Sequence, residues 1–226
     1  MPFNKVTAIL LVLCVWMIYV TDRLLDGRRL TGNEVTKRHG FHAKHHRSFK
    51  AGLALALLAA AILTTTMTDR RLITFGAVMV GLTGIYGLLV HRKIIWAPKE
   101  FLCGGMFSAG VVGSLFIAPF PSTLTLLFGF LCSGNCLVIA CAEASIDQRQ
   151  DTGALPQRWP GISRWVTLGL ILLTVLALGQ QEPLSMAMAI ASVGLIFVHL
   201  AAQSLDWKRA VADVCLLSPL LTLPWL

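Results

Sequence analysis

Five of the eleven acidic residues recur at four-residue intervals beside basic ones: Asp22 and Asp26 form one set, and Glu143, Asp147 and Asp151 form the other. An α-helix turns once in 3.6 residues, so positions i and i+4 share a face, and each set becomes a ledge of carboxylates if a helix continues that far. Carboxylates at that spacing repel one another. Both sets also follow apolar runs, at helix C-terminal ends, where the helix dipole opposes negative charge. A bound cation offsets these adverse terms. Carboxylate oxygens suit Mg²⁺, Mn²⁺ or Ca²⁺, and Mg²⁺ is usually held by one or two carboxylates plus the phosphates of a substrate. Arg23, Arg28, Arg29, Lys99 and Arg149 surround the same ledges. Carboxylates, a divalent cation and a ring of Arg and Lys make a diphosphate site; solvated helix-end charges paired with neighbouring arginines are the alternative.

The segments that position these residues are apolar. The 226 residues are 56% hydrophobic and 13% charged, with a mean hydropathy of +0.73, whereas soluble domains carry roughly a quarter charged residues. This balance excludes a soluble, a disordered or a multidomain chain and indicates one integral membrane domain over residues 1–226. The net charge of +8 does not indicate nucleic acid, because so apolar a chain has little solvent-exposed face to present. A membrane-crossing helix needs about 20 apolar residues. Uncharged runs cover Val6 to Thr21, Ala51 to Thr68 and Leu72 to Val90. The 42 uncharged residues from Phe101 to Ala142 are broken by Pro119-Phe120-Pro121-Ser122 into two spans. Trp165 to Gln181 and Pro183 to Leu205 add two more, and about Trp207 to Leu226 is an eighth interrupted by Lys208, Arg209 and Asp213. The runs are apolar on every face, which excludes the alternation of a transmembrane barrel. The expected fold is all-α, a polytopic transmembrane bundle of about eight helices.

With eight spans, the loops after the first, third, fifth and seventh hold sixteen of the nineteen Lys and Arg residues, and Lys5, Arg70 and Arg71 are left to the other side. The positive-inside rule makes the first side cytoplasmic. Both termini then face out, and residues 22–50 and 143–164 form cytoplasmic loops carrying the two acidic sets. The first apolar run has Lys5 before it but no small-x-small cleavage pattern after it, so it reads as a mature helix.

At the acidic residues the sequence resembles the UbiA superfamily of intramembrane prenyltransferases. The first Asp-rich motif of that family corresponds to Ile18-Tyr19-Val20-Thr21-Asp22-Arg23-Leu24-Leu25-Asp26, and the second to Glu143-Ala144-Ser145-Ile146-Asp147-Gln148-Arg149-Gln150-Asp151 followed by Gly153. Between them, Lys99-Glu100 with Gly104, Gly105 and Ser108 resembles the family's Lys-containing loop and the small-residue start of its next helix. Ile18 and Tyr19 stand where the family has Asn and Asp, and the helix that precedes the first motif in the family's nine has no counterpart. The resemblance spans about Val6 to Gly153. It implies Mg²⁺ on Asp22, Asp26, Asp147 and Asp151, with Glu143 beside them, and a prenyl diphosphate whose leaving charge is stabilised by Lys99 and Arg23. Arg38, Arg149 and Asn135 are further substrate-binding candidates. The implied reaction moves the prenyl group to a lipophilic or aromatic acceptor in the membrane, with a bacterial inner membrane as the expected location. A non-catalytic membrane protein of the same fold, lipid-binding or transporting, is the second reading.

Residues 38–46 contain His42-x-x-His45-His46, which resembles a histidine box of membrane di-iron oxidases. Those enzymes use three boxes and about eight ligands, whereas this chain has six histidines. The segment reads instead as a basic juxtamembrane loop meeting anionic headgroups, with Arg38 or His42 able to contact diphosphate. The six cysteines, all in apolar stretches without a C-x-x-C pair, read as small packing residues. Gly81, Gly84, Gly104, Gly105, Gly110 and Gly113 read as sites of close helix approach, and Asp213 as a partner of Lys208 or Arg209.

Overall fold

The computed structural model describes residues 5–29, 37–65, 69–91, 98–115, 122–150 and 153–218. Ten helices account for nearly all of them: α1 (Lys5–Arg29), α2 (Lys37–Lys44), α3 (His46–Thr65), α4 (Arg70–His91), α5 (Lys99–Leu115), α6 (Ser122–Gln150), α7 (Leu155–Arg158), α8 (Ile162–Leu178), α9 (Pro183–Leu200) and α10 (Leu205–Cys215). The regular secondary structure of the described residues is all helical, as the uniform apolar runs require when backbone polar groups must be satisfied within each segment. Among them, α1, α3, α4, α6 and α9 are long and apolar enough to cross a membrane. Helices α5 and α8 have 17 residues each, the lower end of what spans a bilayer. Helix α10 has 11 residues and ends at Cys215; the part of the expected eighth span at 219–226 lies outside the described residues.

The chain divides into two compact units. The first comprises Met1–Leu88 and Gly113–Ile117, and the second Leu89–Val112 and Ala118–Leu226.

In the first unit α1 packs on α3 and α2. Gly52 on α3 lets the Trp16 ring of α1 approach, since a Cβ there would meet the ring at 3.2 Å. Val20 is almost fully enclosed. Residues 37–44 form a helix where a loop was expected. Its cause is local packing: His42 is buried and stacks on Phe49 of α3, with ring centroids 4.6 Å apart, and also meets the rings of Tyr19 and Phe41. Leu55, Leu57 and Leu58 on α3 and Val78 and Val80 on α4 remain exposed. That exposure suits a surface whose solvent is lipid.

In the second unit α6, α8, α9 and α10 surround one core built on Leu131, Val138, Leu170, Leu173, Met188, Leu195 and Val198. Lipid is as apolar as leucine, so close approach and interhelical hydrogen bonds hold such helices together. The fully buried Ser192 Oγ donates to the Leu170 carbonyl at 2.8 Å and lies 2.8 Å from Thr174 Oγ1. At Gly104 a side chain would strike the backbone of Ser133, and at Gly113, in the first unit, the ring of Phe75. Gly81, Gly84 and Gly105 have open space where a Cβ would stand, so the expectation of close approach holds at only some of these glycines.

Helix boundaries follow local chemistry. The α8–α9 turn passes through Gln181 at φ 56, and α9 opens with Pro183 in its first turn, where no N–H is needed. Ser185 and Glu182 bond reciprocally across that turn. Ser204 caps α10 by accepting from the Trp207 N–H at 3.3 Å.

Candidate functional site

Both acidic sets lie on helices that continue past their apolar parts. Helix α1 runs to Arg29 and α6 to Gln150, so Asp22 and Asp26 share a face, as do Glu143 and Asp147. Side chains of Asp26, Arg38, Asp147 and Arg149 lie outside the described residues, as does the whole of Asp151.

In the first unit, Arg23 is largely enclosed. Its guanidinium lies 5.3 Å from the centre of the Tyr19 ring and 3.7 Å from the Asp22 carboxylate. Tyr19 and Arg23 are four apart on α1, the spacing that lets an aromatic face meet a cation. The ring of His42 meets Tyr19 edge-on at 6.2 Å. Tyr19 therefore supplies a stacking surface at a position where the resembled family carries an acid. That role was not evident from the sequence; the only signal was aromatic-to-Arg spacing.

In the second unit, Lys99 and Glu100 open α5. Glu100 is buried, and its Oε1 accepts the Leu155 N–H at 2.9 Å, tying the start of α5 to the connection that follows α6. Its Oε2 is buried without a hydrogen-bond partner among the described residues. Glu143 meets Arg209 of α10: both Nε and Nη2 reach its Oε1 at 2.5 Å, and Nη1 of the same arginine reaches Asp206 at 3.2 Å. Asn135, 6% exposed, donates from Nδ2 to Asp213 at 3.3 Å, while its Oδ1 is buried and without a partner among the described residues. Lys208 donates to the His199 carbonyl at 3.3 Å. Thus Asp213 meets Asn135, and the hydrogen bonds described for the two α10 cations go to His199, Glu143 and Asp206.

The structure brings Asp22 and Arg23 together in one unit and holds Lys99, Asn135 and Glu143 in the other. Among the described residues no group of three His, Cys, Asp or Glu side chains is gathered as a metal site. Only Asp22 and Glu143 of the five expected ligands have described side chains. Of the histidines near α2, His42 stacks on Phe49, and His45 Nδ1 lies 2.9 Å from the Phe41 carbonyl oxygen. Comparison with protein-family models, with curated proteins and with solved structures finds no match.

Proposed function

We propose that this chain is a UbiA-like prenyltransferase, moving a prenyl group from a prenyl diphosphate to a lipophilic or aromatic acceptor in the membrane. The observation that carries the reading is the continuation of α1 and α6 as helix through Asp22 and Asp26 and through Glu143 and Asp147, which keeps each ledge on one face. An oxygen-rich carboxylate set of this kind fits Mg²⁺. Asp22, Asp26, Asp147 and Asp151 would hold it, with Glu143 at the edge of the set. When bound, the metal supplies Lewis-acid polarisation of the leaving diphosphate.

The chain's own residues do the remaining work. Arg23, held over Tyr19, and Lys99 stabilise charge on the departing diphosphate. Arg38 and Arg149 add positive charge for the same anion, and Asn135, a buried amide bonded to Asp213, is suited to orienting an acceptor. The proposed topology keeps both motifs cytoplasmic and both termini outside, in a bacterial inner membrane with about eight crossings. The Glu143–Arg209 ion pair favours a second reading, a non-catalytic lipid-binding or transporting relative, because an arginine already neutralises that carboxylate.

The test is incubation of membranes containing the protein with radiolabelled prenyl diphosphates of several lengths, with and without Mg²⁺, followed by lipid extraction. Mg²⁺-dependent label in the lipid fraction is expected from wild type and not from Asp26→Asn or Asp147→Asn. No labelled lipid at any chain length, or equal labelling by wild type and both variants, would falsify the reading.

A further inference from the structure

A cavity of about 540 Å³ opens at one end of the second unit, where α6 and α9 end, α8 and α10 begin and α7 crosses. Among the described residues its polar lining consists of Ser163, His199, Lys208, Gln148 and Gln157, with no carboxylate. A space walled by a cation, an imidazole, a hydroxyl and amides is complementary to an anion.

The geometry holds these donors in place. Lys208 Nζ uses one N–H on the His199 carbonyl at 3.3 Å, and an ammonium has three to give. That bond also sets the cation at the C-terminal end of α9, where the helix dipole favours it. His199 Nε2 lies 2.9 Å from Ser163 Oγ and 3.1 Å from the Ser163 carbonyl. With its proton on Nε2, the ring donates to Ser163 and leaves the hydroxyl hydrogen free to point into the cavity. Gln157 is anchored through Nε2 on the Ala144 carbonyl, which keeps α7 as a wall. Glu143, the acid of α6 whose side chain is described, is paired with Arg209.

The geometry points to a binding site for a phosphate-bearing anion, with Lys208 as its charge partner and Ser163 and His199 as its hydrogen-bonding wall. The volume exceeds what inorganic phosphate alone fills and accommodates a phosphate with an attached organic group. Two sources share this chemistry, an anionic phospholipid headgroup entering from the membrane and a soluble phosphomonoester. The described lining includes neither Asp22 nor Glu143, and the proposal rests on Lys208, His199 and Ser163 and not on prenyl transfer.

The test uses the full chain in nanodiscs of phosphatidylcholine, without prenyl diphosphate or Mg²⁺. Inorganic phosphate and glycerol 3-phosphate are titrated and followed by phosphorus NMR. In parallel, nanodiscs containing phosphatidylglycerol are used and the lipid retained by the protein is quantified by native mass spectrometry. Loss of one charge-assisted hydrogen bond corresponds to about tenfold in affinity, so Lys208→Gln is expected to weaken the bound phosphate species about tenfold. Ser163→Ala should weaken it less, and Lys208→Arg should keep most of it. Saturable binding of the soluble phosphates supports a soluble ligand, and selective retention of phosphatidylglycerol that depends on Lys208 supports a headgroup. Should Lys208→Gln fail to fold, Lys208→Arg and Ser163→Ala carry the comparison. Binding of neither class by wild type, or identical affinity in wild type, Lys208→Gln and Ser163→Ala, overturns the proposal.

Discussion

Arg209 grips Glu143 through two of its guanidinium nitrogens at 2.5 Å, with side-chain exposures of only 14% and 17%. The contact fastens α10 to the end of α6. Removing one partner of an enclosed ion pair leaves the other uncompensated, which costs more than losing the pair as a whole. Arg209→Met should therefore lower stability by about 2 kcal/mol. Arg209→Met combined with Glu143→Met should recover part of that loss. Thermal unfolding in detergent across this double-mutant cycle checks the prediction; simple additivity of the two single variants would contradict it.

Glu100 places a buried carboxylate on the N–H of Leu155, 55 residues along the chain. Glu100→Ala abandons that N–H and opens a void, so a loss of about 2 kcal/mol is expected. The connection between α6 and α7 should then loosen. Hydrogen exchange at the Leu155 amide should accelerate strongly in Glu100→Ala and only slightly in Glu100→Gln, whose carbonyl can still accept. Unchanged exchange in Glu100→Ala would show that the contact holds nothing in place.

Two adjacent glycines should respond with opposite sign. Gly104 faces the backbone of Ser133, which cannot swing aside as a side-chain tip can, whereas Gly105 has open space. Gly104→Ala is expected to destabilise by about 1–3 kcal/mol through overpacking. Gly105→Ala should be neutral or stabilising by up to about 1 kcal/mol from helix propensity. Melting temperatures of the two variants settle the comparison, and a stable Gly104→Ala would mean that α5 does not rest on α6 there.

Tyr19 presents its ring face to Arg23, at 5.3 Å. If Arg23 meets diphosphate as proposed, Tyr19→Leu should weaken prenyl diphosphate binding about two- to fivefold, the worth of one cation–π contact whose ring is open to solvent. Tyr19→Phe should bind like wild type. Equilibrium binding with a non-hydrolysable prenyl diphosphonate measures both, and equal affinity in Tyr19→Leu would separate the ring from the site.

Most of the secondary structure was legible in the sequence. Helices α1, α3, α4, α6 and α9 fall on uncharged runs because lipid leaves no other way to satisfy a lone backbone, and α5 and α6 lie on either side of the expected break at Pro119 and Pro121, which is outside the described residues. Helix α2 escaped that reading because its residues are mostly polar, and its helix owes its stability to His42 stacking on Phe49.

The sequence alone determined the membrane class, the helical fold and the four-residue register of the acids, since each depends on solvent and on neighbours within one turn. The tertiary structure decided that Glu143 meets Arg209, 66 positions away, that Ser163 meets His199 across 36, and that Lys208 turns toward the same cavity. Such contacts depend on which helices lie side by side. Local periodicity carries no record of that choice, because in lipid close packing and hydrogen bonding, and not hydropathy, select a helix's neighbours.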